Sequence, residues 1–117
     1  MSKHKTIDYL ELPASDIPTT KRFFKEVFDW TFTDYGTEYT SFESEGMTGG
    51  FYQSDLHSST ENGAALIIFY SSDLEATQKQ VKEAGGTIVK PVFSFPGGRR
   101  FHFTEPSGNE FAVWSDK

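Results

Sequence analysis

Cysteine is absent from this 117-residue chain. That excludes a disulfide framework, a thiolate nucleophile and any zinc or iron–sulfur site built on cysteine. Long apolar runs are absent too. The longest, Ala64 to Tyr70, falls far short of the ~20 residues that span a bilayer. No apolar segment follows the polar start Met1-Ser2-Lys3-His4-Lys5-Thr6. The expectation is a cytoplasmic protein without a signal peptide. Basic residues are scarce: 11 Lys and Arg against 17 Asp and Glu give a formal net charge of -6. Such a field repels phosphate backbones and anionic lipid surfaces, so neither nucleic acid nor membrane is the expected partner.

What the chain has in quantity is phenylalanine, 12 residues of it. Each buried Phe removes about 150–250 Å² from water, so a few of them account for much of a core. The length argues for one domain. Thr6 to Leu12 reads as a strand, with Ile7, Tyr9 and Glu11 on one face. Ser15 or Asp16 caps a helix from about Ile17 to Phe28, with Pro18 tolerated in its first turn. Thr20, Phe23, Phe24, Val27 and Phe28 fall at helical spacing and read as core. Strands follow at Trp30–Tyr35, Thr37–Glu43 and through Gly46-Met47-Thr48-Gly49-Gly50-Phe51-Tyr52-Gln53, the last with glycines that mark a bulge or a close approach.

A polar linker, 54–63, separates this half from a second with the same order. Ala65–Tyr70 is a strand. A helix runs from Leu74 to Ala84, capped by Asp73 and stopped by Gly85-Gly86. Strands follow at Thr87–Lys90, Arg99–Thr104 and Glu110–Ser115. Shifting the first half by 57 positions lays Ser15, Asp16, Thr20, Lys25 and Glu26 on Ser72, Asp73, Thr77, Lys82 and Glu83. The shared register argues for an internal duplication. The fold class is therefore α+β: two βαβββ modules, about 5–54 and 63–117, each with a helix on one sheet face and the other face open toward a shared cup.

The last hairpin concentrates the chemistry. Phe101 and Phe103 alternate with Arg100, His102 and Thr104. Phe111 and Val113 alternate with Glu110, Ala112 and Trp114. Pro106-Ser107-Gly108-Asn109 makes the turn between them. The open faces are expected to offer Tyr9, Glu11 and Tyr52 from one module, and Leu66, Ile68, Tyr70, Arg100, His102, Glu110 and Trp114 from the other. Arg100 suits an anion, since guanidinium pairs bidentately with carboxylate or phosphate. Tyr9, Tyr52, Tyr70 and Trp114 suit a planar ligand. His102 and Glu11 are the candidate acid–base residues. His102, Glu110 and Glu11 together form a conceivable metal set, against the plainer reading of a His–Glu hydrogen bond. His57, in the linker, reads as a solvated surface residue.

Certain motifs resemble a known family. They are Leu12-Pro13-Ala14-Ser15-Asp16 before Phe23-Phe24 and Val27-Phe28-Asp29-Trp30, Ser72-Asp73-Leu74 before Lys82-Glu83-Ala84-Gly85-Gly86, and Phe103-Thr104-Glu105-Pro106-Ser107-Gly108-Asn109. These are similar to the vicinal oxygen chelate superfamily, which includes glyoxalase I, bleomycin resistance proteins and extradiol dioxygenases. The third resembles that family's F-x-D-P-x-G-N turn, with Glu105 in place of Asp. The resemblance implies a homodimer, a small-molecule ligand and, in the enzymes, a divalent metal held by both modules. Its ligand positions fall on Tyr9, Leu66 and Ala112, with a fourth in the Gly49–Tyr52 strand that carries no His, Asp or Glu. The expected cofactor is therefore none. The expected function is binding of a small aromatic or anionic molecule, as in the bleomycin resistance branch. The alternatives are a metal-dependent lyase, isomerase or dioxygenase with a non-standard site, and an accessory module whose cup is filled by its own side chains.

Overall fold

The computed structural model describes residues 2–117. Ten elements follow in chain order: β1 Leu10–Ala14, α1 Ile17–Phe28, β2 Thr31–Asp34, β3 Tyr39–Ser44, β4 Met47–Gln53, β5 Ile67–Tyr70, α2 Leu74–Glu83, β6 Thr87–Phe95, β7 Gly98–Thr104 and β8 Glu110–Ser115. They form two four-stranded sheets, ordered β1-β4-β3-β2 and β5-β8-β7-β6. In each, the first strand pairs parallel with the last and the other pairings are antiparallel. The duplication read in the sequence is thus repeated strand for strand.

Both helices start as their sequences dictate. Asp16 accepts from the Thr19 amide and Asp73 from the Ala76 amide, each satisfying one of the unpaired donors of a first turn. Asp29 ends α1 in the left-handed region at φ 58°.

Two strand boundaries differ from the sequence reading by four residues or more. The first strand begins at Leu10 instead of Thr6, because Leu10 is the first residue with a ladder partner, Gly49. Before it, the carbonyl of Asp8 is taken by the Thr48 hydroxyl. The strand expected to stop at Lys90 continues through Pro91 to Phe95, with register shifts between Ile88 and Phe93. β6 is an edge strand, the position where a proline costs no ladder bond.

The core is aromatic and shared by both sheets. Phe24 of α1 meets Phe51 of β4 at 5.7 Å and Phe111 of β8 at 5.3 Å between ring centroids. Trp30 stacks on Phe42 of β3 at 4.0 Å and lies 5.9 Å from Phe69 of β5. The helix-bearing faces of both sheets thus meet around the rings of α1 and Trp30.

The register groups the residues of the open faces into rows. Glu11 pairs with Gly50, and Gly50 with Ser41, all on the open side of the first sheet. On the second sheet Ile68, Ala112 and His102 form one open-side row, and Tyr70, Trp114 and Arg100 the next.

Candidate functional site

The open face of the second sheet divides into a sealed part and an accessible part. His102 and Glu110 lie in the sealed part, 2% and 9% exposed. His102 Nδ1 is 2.9 Å from Glu110 Oε2. The other carboxylate oxygen, Oε1, accepts from the amide and hydroxyl of Thr60. The linker is fastened further by Ser58, whose amide donates to Asn109 Oδ1 and whose carbonyl accepts from the Glu110 amide. The linker thus folds over the hairpin and takes up the groups that the sequence offered as acid–base and ligand residues. Ala112, in the same row as His102, is fully buried. His57 is exposed, as read.

Burial pushes the Glu110 carboxyl up, but the hydrogen bonds from His102 and Thr60 outweigh it and hold it below the ordinary glutamate range. A carboxyl with a depressed folded-state pKa contributes stability above its unfolded value and loses it as pH falls through the folded value. Glu110→Gln is expected to flatten the acid limb of stability below about pH 4.3, the ordinary glutamate value. Urea midpoints measured from neutral pH into acid check this.

The accessible part holds Arg100, Trp114, Phe95 and Ile68 around a hollow of about 290 Å³. The Arg100 guanidinium lies 5.3 Å from the Phe93 ring centroid and 5.7 Å from that of Phe95. It forms no ion pair among the described residues, although the chain is acidic. Its neighbour Arg99 is spoken for: both terminal nitrogens bind Glu75 of α2. Tyr70 packs edge-on to Trp114 at 5.2 Å and donates to Asp116. Phe93 and Phe95 were not among the residues the sequence offered. Ending that strand at Lys90 hid them, though Phe93 and Phe95 themselves alternate with Ser94.

The open face of the first sheet carries a different group. Tyr9 and Tyr39 hydroxyls are 2.5 Å apart, and Tyr39 donates to Glu11 Oε2 at 2.9 Å. Burial, then the bonds to Tyr9 and Glu11, raise the Tyr39 phenol well above its ordinary value, so it keeps its proton as the donor. The phenols lie over Gly50, where a Cβ would stand 2.1 Å from the Tyr39 oxygen. The strand glycine therefore serves a close approach. Tyr39 was missed in the sequence, although Tyr39, Ser41 and Glu43 share one side of β3. Tyr52, paired with Tyr39, is half-buried on this face. Leu66 lies just ahead of β5.

These placements separate Glu11 from His102 and Glu110. Among the described residues no three His, Asp or Glu side chains gather into a group able to hold a metal ion. Leu66 and Ala112 offer no donor atom, and neutral Tyr9 is a poor one, whereas a divalent ion needs several N or O ligands. The residues at the positions implied by the resemblance do not fit a divalent metal.

The comparison with families decides the lineage: the model of the Glyoxalase/Bleomycin resistance protein/Dioxygenase superfamily matches residues 6–113. The chain belongs to this superfamily. Among curated relatives, the anthracycline biosynthesis protein DauV of Streptomyces sp. (strain C5) is 28% identical over 124 residues, covering 91% of this chain. The chain spans only 45% of that relative's length. Among solved structures, the fosfomycin resistance protein FosX of Listeria monocytogenes superposes with a TM-score of 0.79 at 16% identity, covering 97% of this chain and 94% of that one. Lactoylglutathione lyase of Agrobacterium tumefaciens gives 0.71 at 15%, covering 97% and 96%. At these identities the two structures speak for the fold alone. No helix of the described residues is long and apolar enough to cross a membrane.

Proposed function

We propose that this superfamily member binds a small planar aromatic anion on the open face of its second sheet, without a divalent metal. One observation carries the reading: Arg100, a guanidinium with no ion pair among the described residues, is set against Phe93 and Phe95 at the edge of an apolar hollow. A guanidinium held on aromatic faces keeps its forked donors for a carboxylate, sulfonate or phosphate. Trp114, Phe95 and Ile68 offer the ligand ring its apolar contact. Sealed His102 and Glu110 hold the hairpin and linker in place and do not touch the ligand. An aromatic ligand also accords with a relative named for anthracycline biosynthesis, since anthracyclines are fused-ring aromatics.

The exposure of Ile68, Tyr70 and Tyr9, at 44%, 51% and 43%, favours a cup closed by a second copy. In that homodimer the partner's first sheet lies opposite this chain's second sheet.

Anthraquinone-2-sulfonate is a suitable probe, with neutral anthraquinone as control. Calorimetric titration is expected to give saturable binding to the sulfonate, weakened at least about tenfold in Arg100→Met, as loss of a charge-assisted pair requires. Equal binding by Arg100→Met, or no binding by the folded wild type, defeats the reading.

A further inference from the structure

A second hollow, about 310 Å³, shares Ile68 with the first but leads between the modules. It enters the seam where edge strand β1 faces edge strand β5. Leu10 and Leu12 line it from one side, Ile67, Ile68 and Phe69 from the other, together with buried Trp30 and Phe42. The β3–β4 turn, including Glu45, forms the rim. Protein interiors otherwise pack to the density of organic crystals, so an apolar recess reaching core residues leaves their surfaces without partner atoms. Apolar cavities of this kind exclude water and take up apolar molecules.

Trp30 makes the recess selective. It is 8% exposed. Phe24 covers one region of its ring at 4.4 Å with planes 10° apart, and Phe42 stacks at 4.0 Å with planes 12° apart. With stacking partners so close, what is left to face the recess is the ring edge. The indole N–H lies on that edge and has no hydrogen-bond acceptor among the described residues. It is not one of the sealed unpartnered atoms, which are Arg100 Nε and His102 Nε2. It is therefore not sealed, and the recess is a hollow that Trp30 lines. A buried indole N–H normally finds a partner.

We infer that the seam between the modules is a binding site for a small neutral ring molecule carrying one hydrogen-bond acceptor, such as an aryl ketone. The ring fills the space between Leu10, Leu12, Ile67 and Phe69, and the acceptor meets the Trp30 N–H. Glu45 at the rim disfavours an anion here, whereas the other hollow, which shares the Ile68 wall, has the Arg100 guanidinium.

The test uses the full chain carrying Trp114→Phe. That change leaves Trp30 as the sole tryptophan, so the emission reports on the recess alone. Acetophenone is expected to quench Trp30 emission saturably, and ethylbenzene, which lacks the acceptor, to bind several-fold more weakly. Leu10→Phe and, separately, Ile67→Phe fill the recess and should weaken acetophenone at least tenfold, with thermal unfolding confirming that each variant is folded. Linear, unsaturable quenching overturns the proposal, as does equal binding by both filled variants. Binding that vanishes as protein concentration rises also overturns it, because a second copy then covers the seam. Arg100→Met should leave acetophenone binding unchanged, so failure of the anion site and failure of this one are read separately.

Discussion

Glu105→Ala is expected to lower the unfolding free energy by about 3–4 kcal/mol, from orphaned donors worth about 1–3 kcal/mol each. Glu105 is 2% exposed and has no cationic partner among the described residues. Its carboxylate is satisfied by four donors. Thr20 Oγ1 and the Ser107 amide donate to Oε1; the Asn109 amide and Asn109 Nδ2 donate to Oε2. Two of the donors have alternatives: Thr20 also meets Ser107 Oγ, and Asn109 Nδ2 also reaches the Pro13 carbonyl. The two backbone amides do not. Glu105→Gln separates charge from shape. Whichever way the amide turns, its NH₂ confronts one of the fixed backbone donors, so the cost is about 1–3 kcal/mol, less than alanine's. Burial raises the Glu105 carboxyl above the ordinary range despite these bonds. A raised folded-state pKa contributes stability at low pH that is lost as pH rises through it, opposite in sign to Glu110. The Gln penalty should therefore shrink as pH rises above the ordinary glutamate value. Urea denaturation of both variants across pH checks size and sign together.

The second large effect is expected at Phe24. Phe24→Ala should cost about 3–5 kcal/mol, the range for a fully buried phenylalanine. The ring is 0% exposed and touches Phe23, Phe28, Trp30, Phe51, Phe69 and Phe111. Those partners come from both sheets. The melting temperature should fall by about 10–20 °C, at a few degrees per kcal/mol for a chain of this size. Because one ring serves both modules, the loss should appear as a single shifted transition. Two separated transitions would mean that the halves have independent cores.

The sequence carried the fold because its signals were local and redundant. Asp16 and Asp73 cap the helices at matching positions, and the Phe23–Phe24 stripe is core. The alternation of Phe101, His102 and Phe103 placed the hairpin faces correctly, because no bulge intervenes between β7 and β8. The site was less legible, because it depends on what covers a face. Nothing in Ser58-Ser59-Thr60 announces that this linker will fold onto Glu110. Nor does the alternation around Tyr39 reveal that its phenol will lie over Gly50 of the next strand and meet Tyr9. The sequence reading stops that strand at Lys90, whereas Pro91 is harmless on an edge strand, and the two aromatic partners of Arg100 lie just beyond it.

The latch around Glu105 has a consequence for how the chain matures during synthesis. It ties Asp16 to Ser107 and Pro13 to Asn109, pairs separated by 91 and 96 residues. At a translation rate of about 5–20 residues per second, the first helix waits about 5–20 s for the turn that holds it. Through that interval the faces of Phe23, Phe24 and Trp30 destined for the second sheet have no partner. The first module emerges early and is completed last, so the nascent chain's exposure to aggregation is set by the arrival of its final hairpin.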